Sequence, residues 1–293
     1  YWSHNQGCFW VEASKGSLPP QPAETARPTV AASLNPALYP PIAPLPESPD
    51  RPFWSVMIPV FNPQKDYLEQ VLTSVLAQAP AGEQMQIEVV DDGSTIGEVA
   101  DWVAAIGQGR ITYHRQPQNL GLIANWNDCI QRAKGFWVHL LHQDDRLLPG
   151  FYDRLQPALE QQDAIGAAFC RHFYIDADGN QGSLSDLERH TPGILHNWLE
   201  KIAVGQRLQF VSIVVRRRTY ETLGGYTAEV GSAADWEMWR RLAAHYPIWY
   251  EPEPLACFRV HPQSESSRLI KQGQNIADIR RSIELASTYF PAA

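Results

Sequence analysis

From Trp54 onward the chain alternates short apolar runs with stretches whose apolar residues recur every three or four positions, the pattern of strands joined by crossover helices. Trp54 to Val60 predicts a first strand, and Leu68, Val71, Leu72, Val75 and Leu76 then mark one face of a helix. Ile87 to Asp91 predicts a second strand, Ile96, Val99, Val103 and Ile106 a second helix, and Ile111 to His114 a third strand. Leu122, Ile123, Trp126, Cys129 and Ile130 mark a third helix, and Phe136 to Leu141 a further strand. This order implies an α/β fold around a mostly parallel central sheet flanked by helices. Beyond residue 165 the rhythm loosens. Ile165 to Ile175 predicts a strand turning at Asp178-Gly179-Asn180, and Gln209 to Val215 another, with helices between.

The first 52 residues are different. They hold 11 of the 23 prolines, which remove backbone donors and force extended conformations on their predecessors. Residues 1–52 therefore read as a Pro-rich linker or extension, partly disordered or laid over the surface of a domain formed by residues 53–293. The chain begins with Tyr1 rather than Met, as a piece of a longer protein would.

Composition narrows the classes. At 44% hydrophobic and 19% charged residues the chain is neither disordered nor fibrous. A formal net charge of -8 argues against a nucleic-acid partner, which calls for a concentrated basic face. Cys8, Cys129, Cys170 and Cys257 are far apart with no C-x-x-C pair, so neither a zinc site nor a disulfide framework is expected, and a reducing compartment is. No stretch approaches about 18 consecutive apolar residues, so no membrane-spanning helix is predicted.

Ligands of open α/β sheets bind beyond the carboxyl ends of the strands, and carboxylates stand at two such ends. Asp91-Asp92 closes the second strand before Gly93-Ser94; Asp144-Asp145 follows the Phe136 strand after His142-Gln143. Turn formation or helix capping explains one such pair. Two adjacent carboxylates at a strand end nevertheless repel one another unless a cation lies between them, and Mg²⁺ or Mn²⁺ bridging to substrate phosphates suits that donor set.

With these elements in place the chain resembles the family 2 glycosyltransferases, inverting enzymes of the GT-A (nucleotide-diphospho-sugar transferase) fold. Val56-Met-Ile-Pro-Val-Phe-Asn62 is similar to their opening strand, Val89-Val-Asp-Asp-Gly-Ser94 to their nucleotide-binding turn, and Asn119-Leu-Gly121 with Asn125-Trp-Asn127 to the segment before their metal motif. Gln143-Asp-Asp145 resembles the D-x-D-type motif, Asp235-Trp-Glu-Met-Trp239 the catalytic-base helix, and Arg259-Val-His-Pro262 the strand-end His motif. The six motifs run in family order from about residue 53 to 268.

The resemblance implies a nucleotide-binding half, 53–164, and an acceptor half, 165–293. It implies nucleotide-sugar contacts by Pro59, Phe61, Asp91, Asp92, Asn119, Asn125, Asp144 and Arg259, with Phe61 against the base, Asp92 on its edge and Arg259 near phosphate. Asp145 and His261 would ligate Mn²⁺ or Mg²⁺, and Asp235 would be the general base. The reaction implied is metal-assisted, inverting, single transfer from a nucleotide sugar, a UDP-sugar first among them, to a hydroxyl of a glycan, lipid or protein. Catalysis would be cytoplasmic or at the cytoplasmic face of a membrane, with contact to an adjoining domain or the membrane surface as a further expectation.

Departures from the family pattern accompany these expectations. His142 stands where many relatives carry the first Asp of the metal string, and Ala234 precedes Asp235 where they often have a second carboxylate. The Q-x-x-R-W string of processive synthases is absent, which favours single addition. The competing reading is a catalytically inactive nucleotide-sugar or glycan-binding module of a larger protein. No G-x-G-x-x-G follows the first strand, which argues against a dinucleotide oxidoreductase. Trp102, Trp126, Trp137 and Trp198 are expected in the core, whereas Trp236 or Trp239 could stack on an acceptor sugar. Arg216-Arg217-Arg218 reads as a solvated helix start, with acceptor phosphate or an anionic membrane surface as the alternative partner.

Overall fold

The computed structural model describes residues 37–46, 48, 50–80, 84–264 and 275–290. The alternating runs become β1 (Trp54–Val60), α1 (Lys65–Leu76), β2 (Met85–Asp91), α2 (Val99–Gly107), β3 (Thr112–Arg115), α3 (Leu122–Arg132) and β4 (Trp137–Leu140). The second half continues with β5 (Arg146–Leu147), α4 (Phe151–Gln161), β6 (Ala167–Ile175), β7 (Gln181–Leu184), β8 (Gly193–Ile194) and α5 (Trp198–Val204). It ends with β9 (Ile213–Arg216), α6 (Arg217–Leu223), α7 (Ala234–His245), β10 (Ile248–Arg259) and a last helix, α8 (Asn275–Ala286).

One mixed sheet runs in the order β3-β2-β1-β4-β9-β6-β10-β5, with β7 added to β6 and β8 to β10. β1, β2, β3 and β4 are mutually parallel. β9 is antiparallel to both β4 and β6, and two reversals restore the original direction, so β6 and β10 again run with β1. The carboxyl ends of all six parallel strands therefore lie along one edge, where the two halves of the chain meet.

Period-two alternation in β1 sends Trp54, Val56, Ile58 and Val60 into a core with α1, α2 and α4, and Met57 into a second core on the other face with α3, α5, α6 and α7. Pro59 lies inside this central strand, paired with Val90. The β4 ladder has ended by then, at Met57 opposite Leu140 and the Leu141 N–H to Met57 carbonyl bond, so the missing N–H of Pro59 leaves no rung empty.

Gln209 to Val215 departs from the strand expected of it. Phe210–Ser212 forms a 3-10 turn instead, because Ser212 Oγ donates to the Gln209 carbonyl at 2.8 Å, and only Ile213–Arg216 extends. Much of the expected linker lies outside the described residues. Its described end, residues 37–46, is packed: Tyr39 and Ile42 are buried, the Pro40 carbonyl accepts from Gly225 N–H at 2.7 Å, and the Arg241 guanidinium sits 3.8 Å from the Tyr39 ring centroid.

Of the triple-arginine cluster only Arg218 is exposed, in the first turn of α6 as a solvated helix start would be. Arg216 donates to the Gln162 and Ile165 carbonyls and covers the Trp137 ring, buried Arg217 donates to the Ala133 and Ala43 carbonyls and pairs with Glu221, and Arg218 donates to the Asp163 carbonyl. These cations hold loops together, because carbonyls stranded at strand and helix ends need donors. Cys129, Cys170 and Cys257 are free and buried, and Cys8 lies outside the described residues.

Candidate active site

Hydrogen bonds stitch three strand-end loops side by side. After β1, Phe61 N–H donates to Gln143 Oε1 at 2.8 Å and its carbonyl accepts from Gln143 Nε2, which joins the β1 loop to the β4 loop. Asn62 joins it to the β2 loop: its N–H donates to Ser94 Oγ and its Oδ1 accepts from Thr95 N–H, both at 2.8 Å. Asn62 adopts φ 45°, a region Asn tolerates better than most residues. Phe61 itself stays 42% exposed at the rim, free to meet a planar ligand.

The two aspartates after β2 shape the turn. Asp91 is fully buried, accepts from Ser94 N–H at 2.8 Å and Tyr113 Oη–H at 2.5 Å, and faces Arg115 at 3.7 Å. Asp92 accepts the N–H groups of Leu120 (2.7 Å) and Gly121 (2.9 Å), one on each oxygen. Burial raises its pKa, and those two donors pull back against the rise. Gly93, at φ 72°, lets the turn approach the 118–119 backbone; a Cβ there would lie 2.9 Å from Asn119 N.

Asn119 is exposed beside this turn. Asn125 is buried, donating to the Val90 carbonyl at 3.0 Å, so it braces β2 from below. Pro59, expected beside the nucleotide, is the penultimate residue of β1.

Beyond β4 the neighbouring aspartates diverge. Asp144 Oδ2 lies 2.9 Å from His261 Nε2, beyond the end of β10. This contact raises the His261 pKa. Asp145 turns inward at 1% exposure, where Oδ1 accepts from Arg259 N–H at 2.9 Å and Oδ2 has no hydrogen-bond partner. Burial and the adjacent Asp144 push its pKa well above the carboxylate range. The geometry thus brings Asp144, rather than the expected Asp145, to the imidazole.

Arg259 donates to the Asp144, Asp176 and Ala177 carbonyls and to Gln70 Oε1, lies over the Tyr67 ring, and is 1% exposed. These bonds clamp the ends of β4 and β6 and the helix α1 to the end of β10.

In the second half of the chain, Asp235 lies in the first turn of α7, where a carboxylate complements the helix dipole. It does not cap the helix; that position is Ala233, without a side-chain bond. Asp235 Oδ1 accepts from Trp236 N–H at 2.6 Å and Oδ2 from Gln206 Nε2 at 2.7 Å. Burial pushes its pKa up to about 6 against the pull of these donors and of Arg240. Neither tryptophan of this helix is a ready sugar platform. Trp239 is buried, while Trp236 donates to the Ile202 carbonyl at 2.6 Å and carries the Arg240 guanidinium over its ring.

An aromatic floor joins the two sides, and sequence reasoning missed it. His142 stacks on Trp126 (centroids 5.3 Å) and meets Phe210 (4.3 Å); Phe210 touches Tyr226 and Trp239. Burial pushes His142 down to about 4, so at neutral pH it is an uncharged ring. Asp144 acts electrostatically on His142 at one end of the floor, and Asp235 on Tyr226 at the other. Asn127 fastens the halves by exchanging two 2.8 Å bonds with the Tyr226 backbone.

Among the described residues no group of three or more His, Cys, Asp or Glu side chains is gathered for a metal ion. Asp144 and His261 offer two ligands and leave the remaining positions to phosphate oxygens and water, as Mg²⁺-type sites do. Asp145 Oδ2 adds an unpartnered oxygen behind them. This donor set fits a divalent ion held jointly with a diphosphate.

The sequence pattern of glycosyl transferase family 2 matches residues 55–217, more than half of the chain. The uncharacterized Mycobacterium tuberculosis protein MT1568 is 26% identical over 253 residues, 80% of this chain and 75% of that one. An uncharacterized glycosyltransferase of Rickettsia felis is 22% identical over 222 residues, 74% of this chain but only 36% of the relative's length. The crystal structure of S. aureus TarS 1–349 in complex with UDP superposes with a TM-score of 0.65 at 16% identity, covering 82% of this chain and 67% of that one, which shows a shared GT-A fold.

Proposed function

Because the chain belongs to glycosyl transferase family 2 and is a glycosyltransferase of GT-A fold, we propose that it transfers one sugar from a UDP-sugar to a hydroxyl of a glycan, lipid or protein acceptor, with inversion at the anomeric carbon. The nucleotide lies on the loops after β1 and β2, with the base against Phe61 and within reach of Asn119. UDP is the nucleotide bound to TarS in the superposed structure, and that is the support for uridine here.

Asp144 and His261 would hold Mn²⁺ or Mg²⁺ at the diphosphate. When bound, such an ion supplies Lewis-acid stabilisation of the departing diphosphate. Asp235 removes the proton from the acceptor hydroxyl as that oxygen attacks the anomeric carbon. The new glycosidic bond forms as the bond to diphosphate breaks, its electron pair leaves with the phosphate oxygen, and attack from the face opposite the leaving group inverts the centre. A base whose pKa lies near the working pH is effective in this role.

The observation that carries the reading is Asp235 itself, a half-buried carboxylate with a pKa near 6 at the far end of the aromatic floor from Asp144. The test is a panel of UDP-, GDP- and dTDP-sugars with and without Mn²⁺, followed by thermal shift and by NMR of the transferred anomeric proton. UDP-sugar stabilisation with an inverted product is the expected result. Binding without transfer by the intact protein, across a broad acceptor set, would instead assign the chain to the inactive binding modules.

A further inference from the structure

One exposed side chain touches the base, and nothing in the family motifs points to it. Gln206 lies in the short connection after α5, and its amide nitrogen is 2.7 Å from Asp235 Oδ2. An exposed glutamine ordinarily samples many rotamers, so its place depends on how firmly its backbone is held. Here both flanks are anchored. On one side the Ile202 carbonyl accepts from the Trp236 indole at 2.6 Å, with Ile202 and Trp198 buried in the core. On the other, Arg207 Nε reaches Glu188 Oε1 at 2.7 Å, and the same carboxylate takes Lys201 Nζ of α5 on Oε2 at 2.8 Å. The Glu188 carboxylate is 1% exposed, so this double ion pair is shielded and ties α5 and the connection to the loop after β7.

We infer that Gln206 is a positioning residue for the transfer: its amide holds Oδ2 of Asp235, fixes the plane of the carboxylate together with Trp236 N–H on Oδ1, and leaves one lone pair of Oδ2 aimed at the acceptor hydroxyl. The inference rests on the reading of Asp235 as base. A carboxylate oxygen has two lone pairs, so Gln206 occupies one without blocking the other. The same bond opposes the effect of burial, and so keeps more of the base ionised at neutral pH.

Other charges around Asp235 are either on its own helix or engaged elsewhere. Arg240 of α7 and the Tyr226 hydroxyl are the ionisable groups that interact with it. From the elements packed against α7, Asp278 of α8 bonds Ser232 and Arg281 pairs with Glu229 and Glu284. Lys201 and Arg207 are held by Glu188.

The experiment compares Gln206→Ala, Gln206→Glu and Gln206→Lys with wild type and Asp235→Asn in the full chain. It records the pH dependence of kcat and, independently of turnover, the carboxyl ¹³C titration of Asp235, assigned by its loss in Asp235→Asn. Gln206→Ala is expected to lower kcat about tenfold with donor KM unchanged, and to raise the acidic limb and the titration midpoint by about one pH unit, a shift equivalent to about 1.4 kcal/mol. Gln206→Glu raises both further, and Gln206→Lys, which again donates, lowers them. All three are surface changes, so the fold should survive. An inactive Asp235→Asn combined with wild-type profiles in the Gln206 variants overturns this inference alone. An Asp235→Asn that transfers sugar normally overturns the assignment of the base, and the role of Gln206 with it.

Discussion

Asp144 and His261 are 117 positions apart in the chain, yet Oδ2 of one lies 2.9 Å from Nε2 of the other. Their meeting follows from the sheet. Two reversals around β9 return β10 to the direction of β4, and Arg259, donating to the Asp144 carbonyl while its own N–H is held by Asp145, fixes one strand end against the other. The pair of carboxylates thus divides its labour, with Asp145 holding the frame and Asp144 left at the cleft.

Removing either partner of that contact should weaken metal-dependent donor binding while sparing the fold. Asp144→Ala and His261→Ala are each expected to weaken UDP-sugar affinity in Mn²⁺ by at least about 10- to 100-fold, the range seen when a mere outer partner of a metal ligand is lost. Titration calorimetry with and without EDTA reads this directly. A wild-type affinity unmoved by EDTA would sink the metal role.

Asp145→Ala should behave differently. Its carboxylate is enclosed and holds the Arg259 backbone, so its removal strands a buried N–H at a cost of about 1–3 kcal/mol. The expected outcome is a lower Tm, measured by differential scanning calorimetry, with a much smaller loss of metal affinity than in Asp144→Ala.

Transfer should require ionised Asp235. With a pKa near 6, kcat is expected to fall about tenfold per pH unit below that value and to level above it. Asp235→Asn should reduce kcat by about 10²- to 10⁴-fold at pH 7.5. Because a raised carboxylate pKa means that the folded state is penalised by the charge at neutral pH, the same variant should not lower the Tm, and an equal or higher melting point is the check.

Introducing the carboxylate that relatives often carry, by His142→Asp, is expected to harm this protein. His142 lies in the aromatic floor between Trp126 and Phe210, and a charge there would lack water and partners. A drop in Tm at pH 7.5 that recovers partly on acidification, as the new carboxyl protonates, is the expected thermal profile.

Buried histidines predict acid sensitivity. Burial holds His139 near 3 and both His142 and His172 near 4, while an unfolded imidazole titrates near 6.5. Between pH 6.5 and about 4 the unfolded chain therefore binds protons that the folded one does not, and stability falls as pH drops, by about 1.4 kcal/mol per unit for each histidine. Asp235 and Asp145, raised in the folded state, act with the opposite sign and offset part of the loss. Urea midpoints at pH 7, 6 and 5 should decline in that order.

Hydrophobic spacing was enough to place β1, β2 and β4 and the helices between the first four strands, since burial on two faces of a parallel sheet writes unbroken apolar runs flanked by three-and-four spacing, whereas the edge strand β3 has no buried residue. The motifs at the ends of β2 and β4 were legible for the same local reason: a strand end, a turn and a carboxylate lie within a few residues of one another. What no spacing could reveal was which of two adjacent aspartates faces the cleft, that Arg259 donates to carbonyls, or that Trp126, His142, Phe210 and Tyr226 form one floor. Those outcomes depend on contacts between residues tens to more than a hundred positions apart, and the sheet order that brings them together is fixed by packing the whole chain at once. The sequence determined the scaffold and the chemical inventory; the tertiary structure decided which members of that inventory meet.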